Sequence, residues 1–252
     1  MVMYVSSDKS VIITTPNPRA RLRLFCFPYA GGGPSIYRTW AQNMPREVEI
    51  CALQLPGRWS RHHEPPFTRM EPLVEAVLRS LEPELDRPFS FFGHSLGGLI
   101  AFEVACRLVE AGDKVPLQLL VSARIAPDQP LATRPSVHLP DEQFLQRMAK
   151  VYDGIPQEVM GDPELLELMM PVIRADIEVF ETYHYQEKPP LPIPIAAFRG
   201  ADDPVVSEEA VARWKDHTTA EFTVDAFPGK HFFLFTSADQ FFSRLKKRML
   251  LP

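Results

Sequence analysis

Short apolar runs alternate along the chain with segments whose apolar residues recur at helical spacing. Leu22–Phe27 (LRLFCF), Val48–Leu53 (VEICAL), Phe89–Phe92, Leu117–Val121, Ile193–Phe198 and Glu221–Phe227 read as strands. Most are near-continuous apolar runs, as expected of strands covered on both faces of a parallel sheet. Between them, Leu73–Leu85 carries Leu73, Val74, Val77, Leu78, Leu81 and Leu85 on one face, the rhythm of an amphipathic helix. Leu96–Ala111, Ser207–His217 and Ala238–Leu250 follow the same logic. Strand–helix alternation predicts an α/β fold, with a mostly parallel central sheet and helices on both faces. No internal repeat is visible.

One interval, about residues 124–191, breaks the alternation. A single crossover does not need so long a segment, and a structureless loop of that length is rare in a compact domain. It carries its own helix signals. Asp141-Glu142 open a segment running to Tyr152, and Asp162-Pro163-Glu164 open another, with Asp162 as N-cap and Pro163 in the first helical position. The second helix is apolar nearly all round, and Pro171 is expected to kink it. The plain reading is a helical insertion packed on the domain. The sharper reading, favoured by its place in the chain, is a lid over a site, with Met148, Met160, Met169 and Met170 offering adaptable side chains to a ligand. Gly161 and Pro171 would be its flex points.

Composition narrows the classes. The 252 residues are 45% hydrophobic and 23% charged, an ordinary globular balance with material for a sizeable core. The net charge of −5 argues against non-specific nucleic-acid binding, which needs a basic face. No apolar run is long enough to span a bilayer, and the N-terminus lacks the pattern of a secretory signal. Cys26, Cys51 and Cys106 sit in apolar segments, suggesting buried reduced thiols and a cytoplasmic protein. Among the 26 prolines, Pro16, Pro28, Pro45, Pro56, Pro88, Pro116 and Pro194 fall near the ends of apolar runs and punctuate the elements. The expectation is one domain over residues 1–252 with an insertion at about 124–191, acting as a monomer.

The chemistry gathers on a few loops. Gly93-His94-Ser95-Leu96-Gly97 is a G-x-S-x-G sequence between an apolar strand and a helix, the context that makes the motif meaningful. Its glycines permit a sharp turn that exposes the Ser95 hydroxyl above a helix N-terminus. A serine hydroxyl needs a base to become nucleophilic. In this arrangement an acid and then a histidine follow in the chain. His138 and His184 fall in the insertion and His217 closes a helix, so His231, in a turn after the last strand, is the favoured base. For the acid, Asp202 and Asp203 compete after strand Ile193–Phe198. Neighbours in extended backbone point to opposite sides. Pro204 biases Asp203 to that backbone, so Asp203 is favoured and Asp202 is left as a turn former. Backbone N–H donors for an oxyanion are expected from Leu96 and from Ala30, in the Gly-rich loop Phe27–Gly33. A phosphate-binding reading of that loop is weak, because no G-K-[ST] follows. There is no HExxH and no Cys/His ligand cluster, so neither a metal nor a cofactor is expected.

FPYAGGG (27–33), LPGRWSRHHEPPF (55–67), GHSLGG (93–98), LPDEQFL (139–145), DPELLELMMPVIRADIEVFETYHY (162–185), GADDPV (200–205) and PGKHFF (228–233) resemble the stand-alone type II thioesterases of polyketide and nonribosomal peptide synthesis. The resemblance covers about residues 20–245. The serine motif is common to all α/β-hydrolases; the other segments are more specific. The resemblance implies an α/β-hydrolase fold with a helical lid. The activity it implies is hydrolysis of acyl thioesters from the phosphopantetheine arm of acyl or peptidyl carrier proteins. It assigns Ser95 as nucleophile, Asp203 and His231 as partners, and Ala30 and Leu96 as oxyanion donors. The chain departs from the family at Arg124-Ile125-Ala126-Pro127-Asp128, where Arg-Ala-Pro-His is frequent, and at Gly33-Pro34.

Three other readings compete. A carboxylesterase or lipase would use the same three side chains. A terminal thioesterase domain of a synthase is a second; a start at Met1 and the absence of a carrier domain point instead to a free-standing protein. A hydrolase-like binding protein without activity is disfavoured by the intact Ser95, Asp203 and His231. Arg58, Arg61, Arg69, Arg124 and Arg134 lie in segments expected near the site and could steer an acidic carrier, or could simply be solvated.

Overall fold

The computed structural model describes residues 3–112, 114–130, 135–152 and 163–252, without the side chains of residues 163 and 165. Among the described residues, eight strands form one sheet: β1 (Tyr4–Val5), β2 (Val11–Ile13), β3 (Leu22–Phe27), β4 (Val48–Leu53), β5 (Phe89–His94), β6 (Leu119–Ser122), β7 (Ile195–Gly200) and β8 (Phe222–Phe227). Their spatial order is β1-β2-β4-β3-β5-β6-β7-β8. β1 and β2 pair antiparallel at one edge, and every pairing from β4 to β8 is parallel.

Period-two alternation divides the strand residues between two cores. Phe25, Phe27, Phe91, Leu119 and Val121 face α1 (Met70–Leu81) and α2 (Leu96–Ala111). Leu24, Cys26, Phe92, Leu120 and Phe198 face Trp40 and the C-terminal helix Ala238–Arg248, through Phe241 and Leu245. β3 to β7 are buried along their whole length, which explains their unbroken apolar runs. Cys26 and Cys51 are buried and Cys106 half-buried, all as free thiols. No helix among the described residues is long and apolar enough to cross a membrane.

The two N-terminal strands escape the sequence pattern. β1 is two exposed residues, and β2 is three residues whose partner is the edge of β4. At the other end, β5 and β7 each run two residues past the predicted boundary. Their ladders continue through His94↔Ser122 and Gly200↔Phe227. Pairing with a neighbouring strand, not local propensity, decides where these strands stop.

Within 124–191 lie α3 (Asp141–Tyr152) and α4 (Pro163–Glu181). The helix assignment of α4 continues across Pro171, which lies inside it. Phe144, Leu145, Met148, Met170, Ile173 and Ile177 form a small core of their own between these helices. Asp162, Met160 and Gly161, read above as N-cap, ligand-facing side chain and flex point, lie outside the described residues.

After β3 the chain crosses to β4 on one side and then returns to β5 on the other. The carboxyl ends of β3 and β5 therefore open a crevice where connections leave in opposite directions, the usual place for a site in such sheets.

Candidate active site

Ser95 stands at the carboxyl end of β5, immediately before α2. Its backbone is held at φ 55°, ψ −118°, a conformation rare for a residue with a side chain. The strand ladder persists up to it, since Ser95 N–H donates to the Ser122 carbonyl at 2.8 Å. The turn is tight because strand and helix nearly touch. A Cβ on Gly93 would lie 2.2 Å from the Gly97 carbonyl oxygen, and one on Gly97 would lie 2.1 Å from the Phe27 carbonyl oxygen. Gly97→Ala is therefore expected to cost at least about 2–3 kcal/mol, since backbone on both sides must move. Denaturant unfolding measures this, and a wild-type midpoint would show the approach to be looser than this geometry.

His231 lies in the turn after β8, and its Nε2 is 2.9 Å from Ser95 Oγ. Its Nδ1 is 2.8 Å from Asp203 Oδ2, with both side chains almost wholly buried. A carboxylate can only accept, so Nδ1 carries the proton, and the lone pair on Nε2 faces the serine hydroxyl. The second Asp203 oxygen accepts from Val205 N–H at 3.0 Å, fixing the carboxylate. Asp202 points elsewhere. Its carboxylate is exposed and takes Gly229 N–H at 3.3 Å, while its own N–H donates to Gly229 O at 3.0 Å. It ties the loop after β7 to the loop that carries His231.

The other histidines have different surroundings. His217 is bonded to Asp128 at 2.9 Å, and His138 and His184 are exposed. His94 is fully buried, bonded to Ser122 Oγ at 2.9 Å and stacked on Phe232. Burial, reinforced by the neighbouring His231, pushes its pKa well below the usual histidine range, so it stays neutral beside the Ser95–His231 pair.

Ser95, His231, Ala30 and Leu96 share one cavity of about 330 Å3. Leu96 is the first residue of α2, where backbone N–H groups have no carbonyl partner within the helix. Ala30 comes from the loop after β3, across the crevice. The far wall is apolar and belongs largely to the insertion: Met148 and Tyr152 of α3, and Met169, Ile173, Ile177 and Phe180 of α4. Met169 is thus where the sequence reading expects it. Met170 is not: it is buried in the core between α3 and α4 and does not line the cavity. Residues 169, 173, 177 and 180 follow at helical spacing along the chamber wall, while Met170, itself at helical spacing from Ile173 and Ile177, packs with them against α3. That spacing was available in the sequence and would have found Ile173, Ile177 and Phe180; nothing local would have found Tyr152, or Trp59, which also lines the cavity.

The arginines do not form a free basic rim. Arg58 is buried and clasps Asp176 with both terminal nitrogens at 2.8 Å. Arg61 pairs with Glu64, and Arg69 with Glu178. Arg124 is buried with its guanidinium 4.5 Å from the centre of the Phe180 ring, and burial lowers its pKa to about 10. Arg134 lies outside the described residues. Arg58, Arg61 and Arg124 are engaged within the fold, and the exposed Arg69 is paired with Glu178, so the described arginines among these form no free basic patch.

Comparison with known proteins agrees with this geometry. The chain is 40% identical over 251 residues to the gramicidin S biosynthesis protein GrsT of Aneurinibacillus migulanus, covering 100% of this chain and 98% of that protein. A thioesterase of the prodiginine biosynthetic pathway, RedJ of Streptomyces coelicolor, is 38% identical with a TM-score of 0.85, covering 91% of this chain and 86% of that one. The type II thioesterase BorB, from the borrelidin biosynthetic cluster, is 34% identical with a TM-score of 0.88, covering 97% and 99%. These structures share the α/β-hydrolase sheet and helices described above. A family model for the thioesterase domain matches residues 22–249, and the chain belongs to that family: it is a hydrolase of acyl thioesters.

Proposed function

We propose that the chain is a type II thioesterase that clears acyl groups from the phosphopantetheine arms of carrier proteins in a polyketide or nonribosomal peptide synthase. The observation that carries this reading is the hydrogen-bonded Ser95–His231–Asp203 chain at the edge of a small apolar chamber. The near end-to-end match to GrsT and the likeness to BorB support it. In this reading His231 Nε2 takes the Ser95 proton as Oγ attacks the thioester carbonyl. The N–H groups of Ala30 and Leu96 receive the developing oxyanion. Asp203 stabilises the imidazolium without itself taking a proton. The pantetheine sulfur departs readily, since a thiol pKa is roughly 8.5, and it takes the proton from the His231 imidazolium to leave as the free thiol. Water, deprotonated by the same imidazole, then releases the carboxylic acid and restores Ser95.

The insertion acts as a lid over the acyl group. Met169→Ala is expected to shift the preferred acyl length, because this side chain lines the chamber. Met170→Ala is expected to leave the preference unchanged and to lower stability by roughly 2–5 kcal/mol, as for a buried methionine. Acyl-length profiles and melting transitions of both variants check this; the same response from both would remove the distinction between chamber and core.

The test of the activity is a panel of acyl-pantetheine thioesters, from acetyl to long chain, offered free and on carrier protein beside matched oxygen esters. Thioesters on carrier protein should have the highest kcat/KM. Faster turnover of the oxygen esters would favour a carboxylesterase.

A further inference from the structure

The Arg58–Asp176 pair is costly to bury, and its position is not explained by packing alone. Two apolar residues of similar size would hold helix to loop at least as well, because taking both charges out of water offsets most of their attraction. Both side chains are about 95% buried. What the pair contacts besides itself is the loop after β3. Asp176 Oδ2 accepts Gly31 N–H at 2.7 Å, and Arg58 Nη1 donates to the Gly32 carbonyl at 2.9 Å. The Gly31-Gly32 dipeptide is thereby held at both ends, through the N–H of the first residue and the carbonyl of the second.

That dipeptide belongs to a turn. Gly32 N–H donates to Tyr29 O at 2.8 Å, and Gly31 adopts φ +75°, the left-handed value that the third residue of such a turn needs. Ala30 occupies the second position, so the direction of its N–H follows the turn. Helix α4 presses on the same point: a Cβ on Gly31 would meet Ile173 Cγ1 at 2.7 Å. Asp176 lies one turn further along that helix. The helix that lines the acyl chamber is therefore also the one that holds the turn.

Charge sharpens the argument. A carboxylate bonded to Gly31 N–H sits one residue from an oxyanion donor, where unbalanced negative charge would oppose the transition state. The bidentate guanidinium cancels it. We propose that Asp176 and Arg58 are positioning residues for the oxyanion hole. Asp176 sets the turn that aims Ala30 N–H, and Arg58 neutralises the carboxylate that does so. This rests on the acyl-enzyme reading above.

The test uses the full chain with Arg58→Met, Asp176→Asn and the double variant. Active sites are first titrated with a fluorophosphonate, and kcat and KM are then measured on an acyl-pantetheine. Wild-type activity on that substrate must come first; its absence counts against the proposed function and not against this pair. Arg58→Met strands a carboxylate beside the hole, so kcat per titrated site should fall by about tenfold to a hundredfold with KM little changed. Asp176→Asn still accepts from Gly31 and should lose less. The double variant should be faster than Arg58→Met alone, because the stranded charge is gone. A packing role predicts instead that the losses accumulate and appear as fewer active sites. A wild-type kcat per site in the folded variants, or a double variant slower than Arg58→Met, overturns the proposal. If Arg58→Met does not fold, Asp176→Asn and the double variant decide: reduced kcat at unchanged KM supports it, and wild-type kcat in both overturns it.

Discussion

Ser95→Ala is expected to abolish acyl-enzyme formation and to lower kcat/KM by about four to six orders of magnitude. His231→Ala should cost a similar amount, because an unassisted hydroxyl is a poor nucleophile and Nε2 is the base 2.9 Å from Oγ. The double variant should be no worse than either single one, since two members of one proton-transfer unit do not contribute additively. His94 is no substitute: it is buried, bonded to Ser122, and held neutral by burial beside His231. Intact-mass measurement after exposure to a slowly hydrolysed acyl thioester reads acylation directly, and steady-state rates read the rest. An acyl adduct on the Ser95→Ala protein, or a loss smaller than about tenfold, would place the nucleophile elsewhere.

Asp203→Asn is the second large effect, expected at about four orders of magnitude in kcat. The amide can turn its NH2 toward Nδ1, which then stops carrying the proton, so Nε2 is protonated and faces Ser95 as a donor. Asp202→Asn should change kcat only a few-fold. Its carboxylate is exposed and accepts one backbone N–H, a role an asparagine oxygen keeps. The pair is informative because the residues are adjacent and chemically identical; only direction separates them. Equal losses would mean that the loop, and not the Nδ1 hydrogen bond, is what matters.

These directions show how far local pattern reaches. The strand–helix alternation and the serine turn are legible because buried parallel strands and amphipathic helices leave strong periodic signals. Pro204 tips the choice between two aspartates toward Asp203 because its ring restricts the residue before it. Even in the insertion, the helix start at Asp141 matches the structure and the helix continues through Tyr152, the last residue described before 163, since its acidic first turn and apolar spacing are local properties. The misses share a different cause. β1 and β2 are too short to announce themselves and exist through pairing, β2 with the edge of β4 and β1 with β2. Met170 is as apolar as Met169, yet it faces α3, and only the packing of one helix on the other separates core from chamber.

Arg58 and Asp176 carry this furthest. In the sequence they are 118 residues apart, one beside a tryptophan in a polar turn and the other in an apolar helix. Nothing local marks either as more than a solvated charge. Residue types, spacing and chain order alone determined the α/β class, the serine turn and the order of its partners, because these follow from steric and periodic constraints between near neighbours. The tertiary structure alone decided which arginine is buried, which methionine meets the chamber and what holds the turn at Ala30. Such choices depend on the approach of distant segments, and burial there changes what a charge or a methyl group is worth.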